Sequence, residues 1–193
     1  MFNFGGGMLT GAEIERQIKK GNIEISPYDP SCLNPNSYNL KLHPQLLVYK
    51  HQKYESECFD ITKLTPLDMK KPNPTEEIII PEEGFVLEPG ILYIGRTEER
   101  TSTDKFIPMI NGRSSGGRLG ISIHICAGFG DIGFDGTWTL EITVVEPVRV
   151  YPHTEIAQVC YFTPCGKIGK LYRGRYYQQE EATASRFYKP KEY

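Results

Sequence analysis

Short strand-like runs, separated by proline and glycine, constrain the fold of this chain more than any other sequence feature. Its 193 residues include 14 prolines and 19 glycines. Alternating or continuous apolar residues predict eight short strands, at 37–42, 45–49, 77–80, 91–95, 121–125, 138–145, 148–151 and 157–162. Turn residues such as Glu88-Pro89-Gly90 stand between these runs. The pattern predicts a mainly β fold of the sandwich or jelly-roll kind.

A single helix is predicted ahead of the strands, at residues 9–20. Thr10 and Glu13 have the spacing of a capping box, and Ile14 and Ile18 fall on one face. Gly21 supplies a stop signal. This helix is therefore expected to be short and amphipathic.

The composition is that of one globular domain. A formal net charge of −2 gives no reason to expect nonspecific binding to nucleic acid or to a membrane. No run approaches the roughly 18 apolar residues of a membrane-spanning helix. The cysteines are odd in number and irregularly spaced, which argues against a disulfide framework and predicts a reducing, cytoplasmic setting. They are Cys32, Cys58, Cys126, Cys160 and Cys165.

Residues 111–141 carry most of the recognisable chemistry. A glycine- and serine-rich turn with Arg113 and Arg118 leads to a second glycine-rich turn around Asp131, and the stretch ends on Glu141. Glycines let the backbone form anion-binding nests, and arginines add forked donors that suit phosphate oxygens. Phosphate ligands at one end and a lone strand carboxylate at the other predict an enzyme that acts on a nucleotide.

The same residues resemble the motifs of dCTP deaminases, a family within the trimeric dUTPase superfamily. Residues 112–120, GRSSGGRLG, resemble the GRSSxxRLG signature, and residues 139–141, TLE, resemble the catalytic TLE or VLE. Further matches at 35–40, 127–136, 156–158 and 176–186 keep a consistent order. The resemblance implies a distorted β-jelly roll of the dUTPase-like kind, assembled as a homotrimer with shared active sites.

This alignment divides the chain into three parts. Residues 1–7 are predicted as a flexible leader, 8–165 as the dUTPase-like β domain, and 166–193 as a C-terminal arm. The polar stretch 55–73 is expected to be a surface loop. The arm is basic and rich in tyrosine, so it reads either as a solvated tail or as a segment that orders over bound nucleotide.

Glu141 is the candidate for moving protons. Many base deaminases activate water with zinc and carry an HxE…PCxxC signature, but this chain has no CxxC, and His124 and Cys126 have no suitably spaced partners. Without a metal on the water, a carboxylate must take its proton and pass it on. The apolar neighbours of Glu141 predict a shielded setting, whereas its alternation with Thr139 and Thr143 equally allows a solvent-facing position.

The resemblance implies roles for the basic turn and the loop after it. Ser114 and Arg118 would hold the base and the attacking water near C4, and the carbonyl of Ala127 would position that water. Arg113 and Ser115 would cradle phosphates. An ordinary capped loop is the simpler alternative for this turn.

Other residues are implied to bind the sugar and the phosphates. Asp131 matches an aspartate that binds the deoxyribose 3′-hydroxyl; the alternative is that it only stabilises a turn. Phe134 matches a ring that packs on the sugar and excludes a 2′-hydroxyl. Thr139 belongs to the TLE motif, and the arm adds Tyr172, Arg175 and Gln179.

Three positions bear on the reaction product. Gly128 and Gln158 resemble the bifunctional enzymes that continue to dUMP and pyrophosphate, in which the glutamine would orient a second water. Asn39 replaces the aspartate of many relatives, so magnesium is expected to be carried by the triphosphate. The predicted activity is deamination of dCTP followed by formation of dUMP. The alternatives are a deaminase that stops at dUTP, a dUTP diphosphatase, a non-catalytic nucleotide sensor and an unrelated jelly-roll module; dTTP feedback is left open.

Overall fold

A computed structural model describes residues 6–50 and 66–190. Two α-helices and a short 3-10 helix accompany ten strands. The helices are α1 (Gly11–Lys19), the 3-10 turn (Pro30–Cys32) and α2 (Ser114–Arg118). The strands are β1 (Glu24–Ser26), β2 (Tyr38–Tyr49), β3 (Thr75–Ile79), β4 (Phe85–Leu87), β5 (Tyr93–Ser102), β6 (Ile107–Gly112), β7 (Ile121–Ser122), β8 (Asp135–Val144), β9 (Val148–Val150) and β10 (Glu155–Phe162). The predicted mainly β class with a short N-terminal helix is confirmed.

Helix α1 begins where the capping signal predicts. The Thr10 hydroxyl accepts a hydrogen bond from the Glu13 N–H at 3.3 Å. The Glu13 carboxylate binds Arg16 Nε at 2.7 Å and Gln17 Nε2 at 2.6 Å, so the reciprocal half of the capping box is replaced by pairs along the helix. Ile14 is fully buried and fastens the helix to the core.

Antiparallel pairing builds one sheet of eight strands in the order β6-β10-β2-β5-β8-β7, with β1 beside β5 and β3 beside β2. Strands β4 and β9 form a separate antiparallel ribbon. The core lies along the long central strands, where Tyr38, Leu42, Leu140 and Ile142 are fully buried. Burial alternates along β8, so its other face remains available for a site.

Two predicted strands, 37–42 and 45–49, are one strand in the structure. The pairing of β2 with β5 shifts register between Leu42 and Leu46, and Pro44 lies in this irregular stretch. Proline cannot donate to the ladder and is tolerated at a bulge. The breaker signal was therefore real, but it marks a bulge and not a strand end.

Strand β6 was not predicted. It contains Pro108 and ends in Asn111-Gly112, both breaker signals, yet it pairs with β10 from Ala157↔Gly112 to Phe162↔Ile107. Pairing with a distant strand overrides these local signals, and the position of β6 at the end of the sheet path accommodates its proline.

The C-terminal arm packs against its own chain. Gln179 and Ala182 are buried, and the Thr137 N–H donates to the Gln179 carbonyl at 2.9 Å. Gly136, at φ +148, permits this approach, because a Cβ there would lie 2.7 Å from the Gln179 oxygen. Of the two alternatives for the arm, the solvated tail does not hold for Gln179 and Ala182, which are buried without any ligand.

Residues 1–5, 51–65 and 191–193 lie outside the described part of the chain. They contain most of the predicted leader, most of the predicted 55–73 loop and Cys58. Gly7 is described, and its carbonyl accepts the Thr163 N–H at 3.0 Å. Within the described part of the chain, no helix has the length and apolarity needed to cross a membrane.

Candidate active site

A cavity of about 460 Å³ opens over the outer face of β8, between the loop at 125–131 and the C-terminal arm. Seven of the residues predicted from sequence lie in its wall, and they come from distant parts of the chain. They are Ala127, Asp131, Phe134, Thr139, Glu141, Tyr172 and Gln179. The fold therefore brings the second glycine-rich turn, the TLE motif and the arm around one space.

Glu141 lies on the half-buried face of β8 with Thr139, while Leu140 and Ile142 face the core. The apolar neighbours in sequence therefore do not surround the carboxylate. Its Oε2 accepts the backbone N–H of Ile125 at 2.9 Å. Backbone pairing of the Glu141 N–H with the Ile123 carbonyl at 2.8 Å holds the same loop against the strand.

One oxygen of Glu141 is thus fixed and the other is available. Within residues 6–50 and 66–190, no group hydrogen-bonds to Oε1. A carboxylate that is held at one oxygen and open to a cavity at the other can accept and return a proton without losing its orientation.

Aromatic rings make the base of the cavity rigid. The Phe134 and Trp138 rings lie 4.6 Å apart, and Tyr172 lies 6.3 Å from Phe134. The Trp138 Nε1 donates to Thr101 Oγ1 at 2.9 Å. Asp131 is exposed at the rim, and its carbonyl accepts the Phe134 N–H at 3.0 Å to close a turn. The turn role and a ligand role for the carboxylate are therefore compatible.

Two buried polar atoms in the wall have no partner in the described chain: Thr139 Oγ1 and Gln179 Oε1. Gln179 is well held by its other atom, since Nε2 donates to the Thr137 carbonyl at 2.8 Å. Buried polar atoms are nearly always hydrogen-bonded. Thr139 and Gln179, which both line the cavity, are exceptions to this rule within the described chain.

The basic turn lies elsewhere on the chain. Ser114, Ser115 and Arg118 are exposed in or beside α2, and none of them lines the cavity. Arg118 Nη1 donates weakly to the Ser114 carbonyl at 3.4 Å. One chain therefore does not bring these residues to Glu141.

Arg175 and Gln158 also lie outside the cavity wall. The Arg175 guanidinium lies 5.7 Å from the Phe187 ring centroid, and its buried Nε has no partner in the described chain. Gln158 donates from Nε2 to the Gly112 carbonyl at 3.1 Å and accepts from Ser37 Oγ at 2.8 Å. Each end of this amide keeps capacity for one more hydrogen bond.

Gly128 is required by a close backbone approach. Its carbonyl accepts the Ile110 N–H at 2.8 Å, and a Cβ at this position would lie 2.9 Å from the Ile110 oxygen. A larger residue would displace the loop that holds Glu141. The structure thus gives this departure from single-function deaminases a local physical reason.

The potential metal ligands are dispersed. Across the described ranges, no three His, Cys, Asp or Glu side chains come together as a metal site. Cys126 is exposed in the cavity wall, and His124 is half-buried beside it. Asn39 is committed inside the chain, because its oxygen accepts from Asn34 at 2.7 Å and its nitrogen donates to Glu155 at 2.9 Å.

Sequence reasoning missed several contributors to the cavity. Ile125 acts through its backbone N–H, which no side-chain pattern reveals. Trp138 is one of the apolar neighbours of Glu141, and Tyr176 begins the motif match at 176–186, but neither was predicted to line the site. An aromatic residue three positions before the TLE carboxylate is the one signal that pointed to the cavity base.

Known proteins resemble the chain over most of its length. Residues 8–163 match the family model described as dCTP deaminase-like. The dUMP-forming dCTP deaminase of Clostridium beijerinckii is 51% identical over 182 residues, which cover 94% of this chain and 97% of that protein. The protein of the same name from Leptospira biflexa is 50% identical over 182 residues, with the same coverage.

A solved structure shares the fold. The 2′-deoxycytidine 5′-triphosphate deaminase from Agrobacterium tumefaciens aligns with a TM-score of 0.59 at 20% identity. The alignment covers 82% of this chain and 48% of that chain.

Proposed function

The chain belongs to the dCTP deaminase-like family, and we propose that it deaminates dCTP at C4 and carries the product on to dUMP and pyrophosphate. Relatives at 50–51% identity named dCTP deaminase, dUMP-forming support both steps. The observation that carries the proposal is the geometry of Glu141. Its carboxylate is anchored through Oε2 by Ile125, and Oε1 is open to the cavity.

Deamination requires water to add at C4, a proton to reach N3 and ammonia to leave. In our proposal, Glu141 takes the proton of the attacking water and then returns protons to the ring and to the departing amino group. The Ile125 N–H keeps the carboxylate in place through both transfers. The Ala127 carbonyl, in the same cavity wall, would orient the water. The balance is dCTP and water giving dUTP and ammonia.

The cavity also suits a deoxyribose. Phe134 is packed on Trp138 at 4.6 Å, so its ring has little freedom to move away from a 2′-hydroxyl. Asp131 at the rim would bind the 3′-hydroxyl, as the resemblance implies. Thr139 Oγ1 and Gln179 Oε1 are unpaired but buried, so they would contact the nucleotide only after the side chains around them shift.

A homotrimer would complete the site. The exposed Ser114, Ser115 and Arg118 lie away from the cavity of their own chain, which supports a site that combines one chain's cavity with another chain's basic turn. Cyclic symmetry would then form three equivalent sites. Each would have the triphosphate on Arg113 and Ser115, and the base between Glu141 and the Ser114 and Arg118 of a neighbouring chain.

The second step would hydrolyse the α–β phosphate bond. One water attacks the α-phosphorus of dUTP, and pyrophosphate leaves to give dUMP. Gln158, with one N–H still to give, would orient that water, and magnesium would arrive on the triphosphate as part of the substrate. Tyr172 and Arg175 on the arm would contact phosphates. Feedback inhibition by dTTP, which shares the deoxyribose and the triphosphate with dCTP, stays open. Free thiols at Cys32, Cys126, Cys160 and Cys165 support the proposed cytoplasmic setting.

Product analysis tests the proposal. The protein is incubated with dCTP and magnesium, and ammonia, dUTP, dUMP and pyrophosphate are measured over time. We expect ammonia and dUMP in equal amounts. Ammonia with dUTP alone would leave a single-function deaminase, and conversion of added dUTP without ammonia from dCTP would indicate a dUTP diphosphatase. Binding without any product would favour the sensor alternative.

A further inference from the structure

A polar network outside the cavity joins the basic turn to strands β2 and β10. Its centre is Glu155, the first residue of β10. Arg113 and Asn39 both bind its Oε2, and the Cys32 thiol donates to its Oε1 at 3.7 Å. Glu155 lies outside the motifs and outside the cavity wall. Its link to Arg113 connects it to the proposed phosphate site, so its role rests on the proposed function.

Arg113 is held through a single nitrogen. Its Nη1 lies 2.6 Å from Glu155 Oε2 and donates to the Glu155 backbone carbonyl at 3.1 Å. No other described residue binds its Nε or Nη2, and a guanidinium has five N–H donors in a rigid plane. Fixing one edge therefore orients the remaining donors, and it does so before a phosphate arrives.

Asn39 in turn fixes Glu155. It donates from Nδ2 to Glu155 Oε2 at 2.9 Å, and its own oxygen accepts from Asn34 Nδ2 at 2.7 Å. The donor sense of the amide is set by these two partners. Asn39 is buried, so an aspartate there would place a second carboxylate against Glu155 with little water to screen the repulsion.

The backbone also serves this contact. The pairing of β10 with β2 shifts register between Glu155 and Ala157, which is a bulge. Bulges re-aim side chains and are frequent beside active sites. Here the bulge coincides with the residue that reaches across to the turn after β6.

We propose that Glu155 is a positioning residue, which holds the Arg113 guanidinium ready for the nucleotide phosphates and is itself oriented by Asn39. Asn39 and Glu155 form a matched amide–carboxylate pair that supplies one negative charge. A neutral amide at position 39 leaves the single negative charge on Glu155, next to Arg113.

The test compares four variants and one control variant in steady-state kinetics with dCTP and magnesium. Glu155→Ala removes a charge-assisted hydrogen bond worth roughly 1.5–3 kcal/mol, so we expect KM for dCTP to rise about tenfold or more, with a smaller change in kcat. Glu155→Gln keeps an acceptor and should show an intermediate KM. The double variant Asn39→Asp/Glu155→Gln restores one carboxylate and one amide, and it should recover most of the loss seen with Asn39→Asp alone. Glu146→Gln, at an exposed position, is the matched control for loss of charge.

A cycle with Arg113→Ala separates positioning from general damage to the fold. If Glu155 acts through Arg113, Glu155→Ala should add almost nothing in the Arg113→Ala background. Equal effects in both backgrounds, or an unchanged KM in Glu155→Ala, would overturn the inference while ammonia release by the wild type keeps the proposed function. If the wild type does not act on dCTP, the proposed function fails. The same cycle, run on the binding of inorganic tripolyphosphate, still decides the role of Glu155: non-additivity supports it and additivity overturns it.

Discussion

The cavity over β8 and the basic turn after β6 differ in how far their polar groups are hydrogen-bonded within the chain. In the cavity wall, Thr139 Oγ1 and Gln179 Oε1 are buried and unpaired, and one oxygen of Glu141 is open. Around the turn, Arg113 and Gln158 are already hydrogen-bonded within the chain. In the proposed function, the nucleotide completes the first region, whereas the second is already hydrogen-bonded within the chain.

This contrast follows from what each region must bind. A phosphate is met best by donors that are fixed before it arrives, since ordering them on binding would weaken affinity. The base reacts at C4, so the groups around it are most useful when their contacts strengthen in the transition state and are not already satisfied within the chain. The two regions do not meet in one chain, so the contrast also divides the proposed site between neighbouring chains.

The largest loss of activity is expected from a substitution in the cavity. Glu141→Gln keeps the shape and can still accept from Ile125, but it cannot take a proton from water. General acid–base catalysis is typically worth about 10²–10⁴-fold, so ammonia release should fall at least that far while dCTP affinity changes little. Rates and equilibrium binding measured on the same preparation check this. Turnover close to that of the wild type would remove Glu141 from the mechanism.

Mixing two inactive variants tests whether the regions belong to different chains. Arg118→Ala should abolish most activity through the turn, as Glu141→Gln does through the cavity. If each site joins one chain's cavity to another's turn, refolding equal amounts together should restore about one quarter of the sites in randomly mixed trimers. No recovery beyond either parent would show that cavity and turn act within one chain.

Gln158→Ala distinguishes the two chemical steps. It removes an amide near the turn, so pyrophosphate release should fall more than ammonia release and dUTP should accumulate from dCTP. A lost hydrogen bond to a charged partner costs roughly 1.5–3 kcal/mol, or about tenfold to a hundredfold in rate. Ser37→Ala keeps the Gln158 amide and removes one of its hydrogen-bond partners. Its rate of pyrophosphate release should therefore lie between those of the wild type and Gln158→Ala. Equal loss of both products would make Gln158 structural.

Removal of the arm should affect both binding and stability. A chain that ends at Gly169 loses Arg175 and Gln179, and KM for dCTP should rise about tenfold. Because Gln179 and Ala182 are buried, the melting temperature should also fall by several degrees. A chain that ends at Arg186 keeps both residues and serves as the control. Unchanged kinetics in the shorter chain would return the arm to a structural role.

The smallest effect on activity is expected at Glu99, a carboxyl buried beneath β2. Burial raises the pKa of Glu99 from 4.5 to about 7, against the lowering effect of the Lys41 N–H that donates to it at 2.9 Å. The native state keeps this proton after the unfolded state has lost it, so stability should fall as pH rises from 4.5 through 7.

Glu99→Gln should remove this pH dependence. At pH 8 it should raise the free energy of unfolding by roughly 3.5 kcal/mol, at about 1.4 kcal/mol per pKa unit, with no change in kcat. Denaturant unfolding at pH 5 and pH 8 measures the difference. A variant that is stabilised equally at both pH values would contradict the assignment.

The sequence by itself determined the features whose physical causes are local. The hydroxyl of Thr10 caps α1 at the predicted place, and period-two alternation puts Glu141 on the face opposite Leu140. Motif order was enough to collect seven cavity residues from three separate stretches. These outcomes depend on spacing within a few residues or on a resemblance that spans the chain.

Only the tertiary structure decided the contacts between residues far apart in sequence. Strand β6 forms despite Pro108 because β10 pairs with it. The arm packs on β8 because the Thr137 N–H donates to the Gln179 carbonyl. The bond from Ile125 to Glu141 spans 16 residues, and that from Asn39 to Glu155 spans 116. Such contacts form when burial and hydrogen bonding between distant segments outweigh the entropy of closing the chain between them, and no local pattern records that balance.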